Sequence, residues 1–136
     1  MKPFELKIVT PDGLEYEGQA EMLVVRTTSG DLGILAGHIN TVAPLGMGVA
    51  TITMDGNKRY AACIGGMVSV IDGTVNLVPT TFEWAEDIDA ARAKRSEKRA
   101  QDVLKDKDAS ETDIRLAQAR LKRALIRQSA ATYKPK

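Results

Sequence analysis

"MVSVIDGTVNLVP", Met67–Pro79, is the stretch that determines how the first half of the chain folds. Small and β-branched apolar residues stand on both sides of Asp72-Gly73. Asp-Gly is strongly preferred in two-residue turns whose central residues have positive φ, and such turns join antiparallel strands. The stretch therefore predicts a β-hairpin with its turn at residues 72 and 73.

Short strand patterns of the same kind continue on both sides of this hairpin. "FELKIVT", residues 4–10, alternates apolar and polar positions, as a half-buried strand does. Pro11–Gly13 and Asp55-Gly56 mark further turns. Many short strands separated by Gly and Pro predict a β-sandwich or flattened barrel over residues 1–84. We expect Cys63 to be a small apolar strand residue within it.

Residues 85–136 have a different composition, which favours helix. The segment contains no Gly, and Ala, Lys, Arg, Glu and Leu dominate it. "KDKDAS", residues 105–110, interrupts this pattern. We therefore predict two helices that form an antiparallel hairpin.

Polar residues before each predicted helix indicate where the helix begins. Asp87 can cap the first helix, with Asp89 in its first turn, where a negative charge suits the helix dipole. Ser110 and Asp113 have the spacing of a capping box at the start of the second helix.

Both predicted helices carry thin apolar stripes that are rich in Ala. The stripes consist of Ile88, Ala93, Ala100, Val103 and Leu104 on the first helix, and of Ile114, Ala117, Leu121, Ala124 and Leu125 on the second. At about 25 cal/mol per Å², such stripes bury little apolar surface. We therefore expect the hairpin to dock weakly, which suits an element that moves.

Charge and cysteine content limit the classes of protein that fit. Residues 1–83 contain five Lys and Arg against nine Asp and Glu, so the positive charge lies in the second half. The single cysteine excludes a disulfide within the chain and a cysteine metal cluster. No signal-peptide region and no run of about 18 apolar residues is visible, which fits a cytosolic protein. The sequence suggests no metal site and no catalytic triad, so we predict neither.

An ordered series of motifs resembles one protein family. "SGDLGILAGHIN", Ser29–Asn40, resembles the GxLGIxPGH region of the epsilon subunit of F-type ATP synthases, of the bacterial type. Four further stretches are similar to the same family in the same order: "ELKIVTPDGLEYEG", "GMGVATI", "IGGMVSVIDGTVNLV" and "IDAARA". Ala36 stands where the family usually has Pro, which would leave this loop less rigid.

The resemblance implies a fold and a place in a complex. The fold would be a ten-stranded β-sandwich, residues 1–84, followed by the helical hairpin, residues 85–136. The protein would be a non-catalytic part of the rotating central stalk, and its sandwich would bind the gamma subunit and the membrane-embedded c ring. Asp31 and His38 match the family's c-ring-facing loop. The protein would lie at the cytoplasmic face of the cell membrane, attached through the ring, and would require no cofactor.

Arginines of the two predicted helices can converge on one region. Residues at spacings of three and four share one face of each helix: Asp89, Arg92, Ser96 and Arg99 on the first, and Arg120, Arg123 and Arg127 on the second. Guanidinium groups gathered in this way suit phosphate oxygens. The alternative is a solvated charged face with local pairs such as Asp102–Lys105.

The stretch "IDAARA" is also similar to the [IL]DxxRA motif with which some bacterial epsilon subunits bind ATP. The resemblance implies a regulatory ATP site formed by Glu83, Ile88, Asp89, Arg92, Ala93, Arg99, Arg123 and Arg127. ATP would bind only the compact hairpin. When ATP is scarce, the hairpin would extend along gamma, contact the alpha and beta subunits of the catalytic head and inhibit hydrolysis. The expected inhibitory contacts are Arg115, Arg120, Lys122 and Arg123.

Three other functions fit parts of the sequence. A stand-alone regulatory nucleotide-binding module would use the same arginines and would have no affinity for a gamma subunit. A plain scaffold protein would need neither ATP nor movement. A nucleic-acid binder would use the basic second half, but nine carboxylates are interspersed there and no aromatic residues interleave the cations. We therefore expect no binding to nucleic acid.

Overall fold

The computed structural model describes residues 1–133, which contain eight β-strands and two α-helices. The strands are β1 (Phe4–Thr10), β2 (Gly13–Ala20), β3 (Met22–Thr27), β4 (Gly30–Ile34), β5 (Thr41–Pro44), β6 (Met47–Met54), β7 (Asn57–Ile71) and β8 (Thr74–Trp84). A short 3-10 turn and the two helices follow: Ala85–Asp87, α1 (Ala90–Lys105) and α2 (Glu111–Ala131). The last three residues of the predicted hairpin domain lie outside the described residues.

The strands form the predicted β-sandwich. Their order in the sheet is β2-β1-β8-β7-β6-β3-β4, and β5 pairs with β7. β1 and β3 lie far apart in this order, yet their buried apolar residues share one core: Phe4, Leu6 and Ile8 with Leu23 and Val25. The sheet therefore folds back on itself around an aliphatic interior.

The hairpin predicted from Met67–Pro79 is confirmed. β7 and β8 are antiparallel, and Ile71 pairs with Thr74 across the turn. Asp72 and Gly73 both have positive φ, 49° and 85°, as the Asp-Gly turn requires. Alternate residues of both strands point into the core and are at most 2% exposed: Val68, Val70, Val75 and Leu77.

The number of strands differs from the ten that the family resemblance implies. Gly65 and Gly66 have φ of 67° and 93°, a conformation that favours glycine. They lie between the part of β7 that pairs with β6 and the part that pairs with β5. Because β7 and β8 pass this point as continuous strands of 15 and 11 residues, residues 1–133 contain eight strands.

Cys63 is a buried residue of β7, as predicted. Burial raises the pKa of its thiol to about 12. The thiol therefore stays protonated at neutral pH, and it lacks the thiolate form that reacts with electrophiles.

One of the two predicted helix caps is confirmed and the other is wrong. The capping box is confirmed, because the Ser110 hydroxyl accepts the main-chain N–H of Asp113 at 3.0 Å and Asp113 Oδ2 accepts that of Ser110 at 3.3 Å. The prediction that Asp87 caps the first helix was wrong, because Asp87 ends the 3-10 turn and Ile88 is extended. Asp89 is the cap, and its Oδ1 accepts the N–H of Arg92 at 3.0 Å.

The hairpin packs on the sandwich through a small contact. α1 packs on α2, and α2 packs on β6 and β7. The contact has its own apolar cluster, separate from the sandwich core, which includes Ala62, Ile88 and Ala130 with Val49 and Ile126 packed against them. Leu125, predicted on the packed face, is 47% exposed, so the prediction was wrong for this residue. Neither described helix is long and apolar enough to span a membrane.

Gly66→Ala tests the requirement for glycine at the centre of β7. An added Cβ would lie 2.1 Å from the carbonyl oxygen of Val78 and 2.7 Å from Cα of Pro79, at a φ that strains Ala. We expect the free energy of unfolding, measured by urea denaturation with Trp84 fluorescence, to fall by on the order of 3 kcal/mol. Gly33→Ala is the matched control, because a Cβ there meets nothing within 4 Å. Equal losses in the two variants would contradict a specific requirement for glycine at residue 66.

Candidate functional site

The outer face of the sandwich under α2 is set by the strand register. Glu83 of β8 pairs with Ala62 of β7, and Ala62 pairs with Val49 of β6. The neighbours of Ala62 on the strand, Ala61 and Cys63, belong to the sandwich core. Because side chains alternate along a strand, Val49, Ala62 and Glu83 all face outward. A carboxylate therefore stands beside the small residues on which α2 packs.

A cavity of about 300 Å³ lies at the junction of β8, α1 and α2. Its lining consists of Glu83, Asp87, Ile88, Asp89, Arg92, Ala93, Ser96, Arg99 and Arg127. Seven of the eight residues predicted for an ATP site are among them. The volume is at the lower end of the range of about 300–1,000 Å³ that is usual for small-molecule sites.

The lining also contains two residues that the predicted site omits. Ser96 was placed on the correct helix face, between Arg92 and Arg99, but was not assigned to the site. Asp87 was assigned to the helix cap instead. A helical-wheel plot would have identified Ser96 as a lining residue, whereas the position of Asp87 depends on the 3-10 turn, which has no clear signal in the sequence.

The charges of the cavity are partly paired. Arg127 Nε donates to Glu83 Oε1 at 2.6 Å, and both side chains are about one-third exposed. The Asp89 carboxylate caps α1. Within residues 1–133, Arg92 and Arg99 form no ion pair. The cavity therefore offers two unpaired guanidinium groups, and guanidinium groups bind phosphate and carboxylate oxygens well.

A second cavity, of about 620 Å³, continues this site between the two helices. Ser96 and Arg99 line both cavities, and Arg120 lines only the second. Arg123, which was predicted to bind ATP, lines neither cavity and is half-buried. The structure therefore brings Arg99 close to Arg120, while Arg123 lies outside both linings.

The segment before α1 is anchored by aromatic and charged side chains. The Arg59 guanidinium lies 3.7 Å above the ring centre of Trp84, which is 6% exposed, and it also pairs with Glu86. Burial raises the pKa of Glu86, but the hydrogen bond from Arg59, a main-chain hydrogen bond and the charge of Arg59 together outweigh burial and lower it overall. Trp84 is therefore placed to report on movement at the start of the hairpin.

The end of α2 is fixed by an aromatic contact. Tyr133 stacks on Tyr60 of β7, with ring centres 4.1 Å apart and ring planes within 14° of parallel. Gln128 Nε2 of the same helix donates to Glu97 Oε2 of α1 at 2.9 Å. The hairpin is therefore held in place by several separate polar and aromatic contacts in addition to its small apolar cluster.

The residues predicted to face the c ring lie on β4 and the loop that follows it. Asp31 is exposed on β4, and its Oδ1 pairs with Arg26 Nε at 2.9 Å. His38 is half-buried after the strand, with Nδ1 at 2.8 Å from the carbonyl oxygen of Ile39. Asn40 fixes this loop, because its Oδ1 accepts the N–H of Asp72 at 2.9 Å.

The predicted inhibitory residues lie on α2. Arg115, Arg120 and Lys122 are exposed and Arg123 is half-buried. None of the four forms an ion pair within residues 1–133. No group of three or more His, Cys, Asp or Glu in the same part of the chain could hold a metal ion.

Comparison with known proteins identifies the family. Residues 3–85 match the family model of the ATP synthase delta/epsilon chain β-sandwich domain, and residues 86–132 match that of its long α-helix domain. The ATP synthase epsilon chain of Bacillus velezensis is 46% identical over 131 residues, which cover 96% of this chain and 98% of that one. The epsilon chain of Ruminococcus albus is 42% identical over 135 residues, covering 98% and 100%.

A solved structure shares the fold. It is a chain in the cryo-EM structure of the Euglena gracilis mitochondrial ATP synthase (OSCP/F1/c-ring), with a TM-score of 0.83 and 22% identity. The match covers 94% of this chain and 81% of that one. The chain belongs to the ATP synthase delta/epsilon family. Within this family its relatives mark it as an epsilon subunit of the bacterial type.

Substitutions at Asp89 test whether its carboxylate acts as the cap of α1. Asp89→Ala removes the acceptor for the Arg92 N–H, and we expect it to destabilise the first turn of α1 by about 1 kcal/mol. Asp89→Asn keeps an acceptor oxygen and is the matched control, which should remain within a few tenths of a kcal/mol of the original chain. Hydrogen exchange of the main-chain amides in this turn measures both variants. Equal protection in the two would show that the cap contributes nothing.

Proposed function

We propose that the chain is a non-catalytic, regulatory subunit of the central stalk of a proton-translocating ATP synthase, whose hairpin closes over ATP and inhibits hydrolysis when it opens. The observation that carries the regulatory part is the gathering of seven predicted nucleotide-binding residues around one cavity. Membership of the epsilon family supports the place in the complex.

ATP would contact both the charged and the apolar residues that line the cavity. Arg92, Arg99 and Arg127 would bind its phosphates through charge-assisted hydrogen bonds. Ile88 and Ala93, which are 2% and 4% exposed, would contact the nucleoside. Asp89 would accept a hydrogen bond from the ligand with a carboxylate that already caps α1.

The position of the cavity would couple ATP binding to closure of the hairpin. Its lining comes from β8, α1 and α2, so opening of the hairpin would separate the arginines and destroy the site. ATP would therefore bind the closed form alone and raise its population as ATP concentration rises. Because the apolar contact under α2 is small, the free-energy difference between the closed and open forms would also be small, so ATP binding could shift the equilibrium.

Inhibition would use the basic surface of α2. In the open form, Arg115, Arg120, Lys122 and Arg123 would reach the alpha and beta subunits of the catalytic head and block rotation in the direction of hydrolysis. Their lack of ion pairs within residues 1–133 supports this role, because cations without intramolecular partners are available to another chain.

The sandwich would bind the gamma subunit and the c ring. Pro44, Met67 and Val78 pair with one another across β5, β7 and β8 and face outward as an exposed apolar stripe. Exposed apolar patches of this kind mark protein interaction sites, and gamma is the partner we assign to it. Asp31 and His38 would face the c ring, which would hold the subunit at the cytoplasmic face of the membrane.

Titration of the isolated chain with ATP tests the nucleotide site. We expect a saturable change in Trp84 fluorescence with ATP and no such change with GTP, and calorimetry should give the same affinity. Arg99→Ala should weaken ATP binding about ten-fold or more, because it removes a charged hydrogen bond. Arg95→Ala is the matched control, because Arg95 is an exposed residue of α1 outside the lining. A flat titration by both methods would contradict the site.

Truncation after Asp87 tests the inhibitory role. The sandwich has its own core, so the truncated chain should fold and join the complex. The rate of ATP hydrolysis by the assembled complex should then exceed that of the complex with the full chain. An unchanged rate would contradict inhibition by the hairpin. If neither chain co-purified with gamma, a stand-alone nucleotide-binding module would be the better description.

A further inference from the structure

The contact between Glu83 and Arg127 connects the sandwich to α2 across the candidate nucleotide cavity. Glu83 stands on the outer face of β8, and Arg127 lies on α2, one turn before the buried Ala130. Both residues line the cavity. The pair is therefore a direct link between the two parts that a closing hairpin must bring together.

The geometry of this contact leaves most of the Arg127 guanidinium available. The carboxylate accepts only from Nε, at 2.6 Å, and Arg127 forms no other hydrogen bond within residues 1–133. A guanidinium group has five N–H donors, four of them on its two terminal nitrogens. A carboxylate at Nε fixes the orientation of the planar group and leaves those four donors for a second anion.

We propose that Glu83 is a positioning residue, which holds Arg127 by its Nε so that the terminal nitrogens are oriented toward phosphate oxygens before any ligand is present. This inference rests on the proposed nucleotide site and specifies how one of its cations is prepared. It assigns Glu83 no contact with the nucleoside. Affinity increases when a binding group is held in its bound orientation, because less conformational freedom is lost on binding.

The same contact has a second effect in the absence of ligand. It adds a polar link between β8 and α2 beside the small cluster of Ala62, Ile88 and Ala130. Part of the hairpin population is thereby closed before ATP arrives. Since the apparent affinity of a ligand depends on the fraction of protein already in the binding form, Glu83 contributes to ATP affinity by this route as well.

Two substitutions at Glu83 and three probes test the proposal with the full chain. Glu83→Ala removes the acceptor, whereas Glu83→Gln retains an amide oxygen that can accept from Nε. The probes are ATP, inorganic triphosphate and adenosine, the last measured by competition with ATP. Amide hydrogen exchange of α2 without ligand supplies a readout of closure that does not depend on nucleotide binding.

We expect Glu83→Ala to speed amide exchange in α2 and to weaken binding of ATP and of triphosphate by about three- to ten-fold each. Adenosine should be weakened less than either, because it experiences only the loss of the closed form and not the loss of the Arg127 orientation. Glu83→Gln should restore most of the lost affinity. Glu97→Ala is the matched control for closure alone, because it removes the same charge and the contact with Gln128 but does not line the nucleotide cavity. It should change the affinities for triphosphate and for adenosine by the same factor.

Two results would overturn the proposal while leaving the nucleotide site in place. If Glu83→Ala weakened adenosine as much as triphosphate, Glu83 would act through closure of the hairpin or through the nucleoside, and not by orienting Arg127. If both substitutions strengthened triphosphate binding, the carboxylate would compete with phosphate for Arg127. Failure of the original chain to bind either ATP or triphosphate would overturn the proposed function itself.

Discussion

The whole arrangement depends on the register that places Val49, Ala62 and Glu83 side by side on the outer face of the sandwich. Two of these side chains are small enough for α2 to lie directly on the strands, and the third provides the carboxylate that pairs with Arg127. A one-residue slip would turn Ala62 into the core and remove the surface on which α2 packs. A close contact made by few apolar side chains is specific in position but modest in free energy, since each buried methylene contributes roughly 0.8 kcal/mol.

Two separate apolar clusters allow one part of the molecule to change while the other stays folded. The sandwich core draws its buried residues almost entirely from strands, whereas the cluster under the hairpin combines Ala62 of β7 with Ile88 and Ala130 of the C-terminal segment. The candidate site lies where these two units meet, so it is intact only when they are in contact. A ligand that binds only when the two units are in contact stabilises that arrangement by its own free energy of binding.

Local signals predicted the parts of the fold that depend on neighbouring residues. The hairpin around Asp72-Gly73 and the capping box at Ser110 each follow from a few adjacent side chains, and both are present. The strand count could not be predicted in this way. Whether Gly65-Gly66 interrupts a strand or bends it depends on its partners on both edges, which lie elsewhere in the chain.

The candidate site shows the same limit of sequence analysis. The helix spacing and the family resemblance supplied most of the lining residues, because these residues recur at three- and four-residue intervals. The link between Glu83 and Arg127 and the stacking of Tyr60 on Tyr133 join distant segments, and no local pattern indicates them. The cap could not be assigned either, because Asp87 and Asp89 both have suitable side chains and only the extended Ile88 between them decides the choice.

The unequal lengths of the helices have a mechanical consequence. α1 has 16 residues and α2 has 21, so at a rise of 1.5 Å per residue they are about 24 and 32 Å long. The excess length carries Tyr133 past the beginning of α1, where it meets Tyr60. If the hairpin opens as proposed, the short segment Ala85–Asp87 would act as its pivot. A rotation of about 10° there would displace the far end of α1 by about 4 Å, so a slight local adjustment beside Trp84 would become a several-fold larger displacement at the tip of the hairpin.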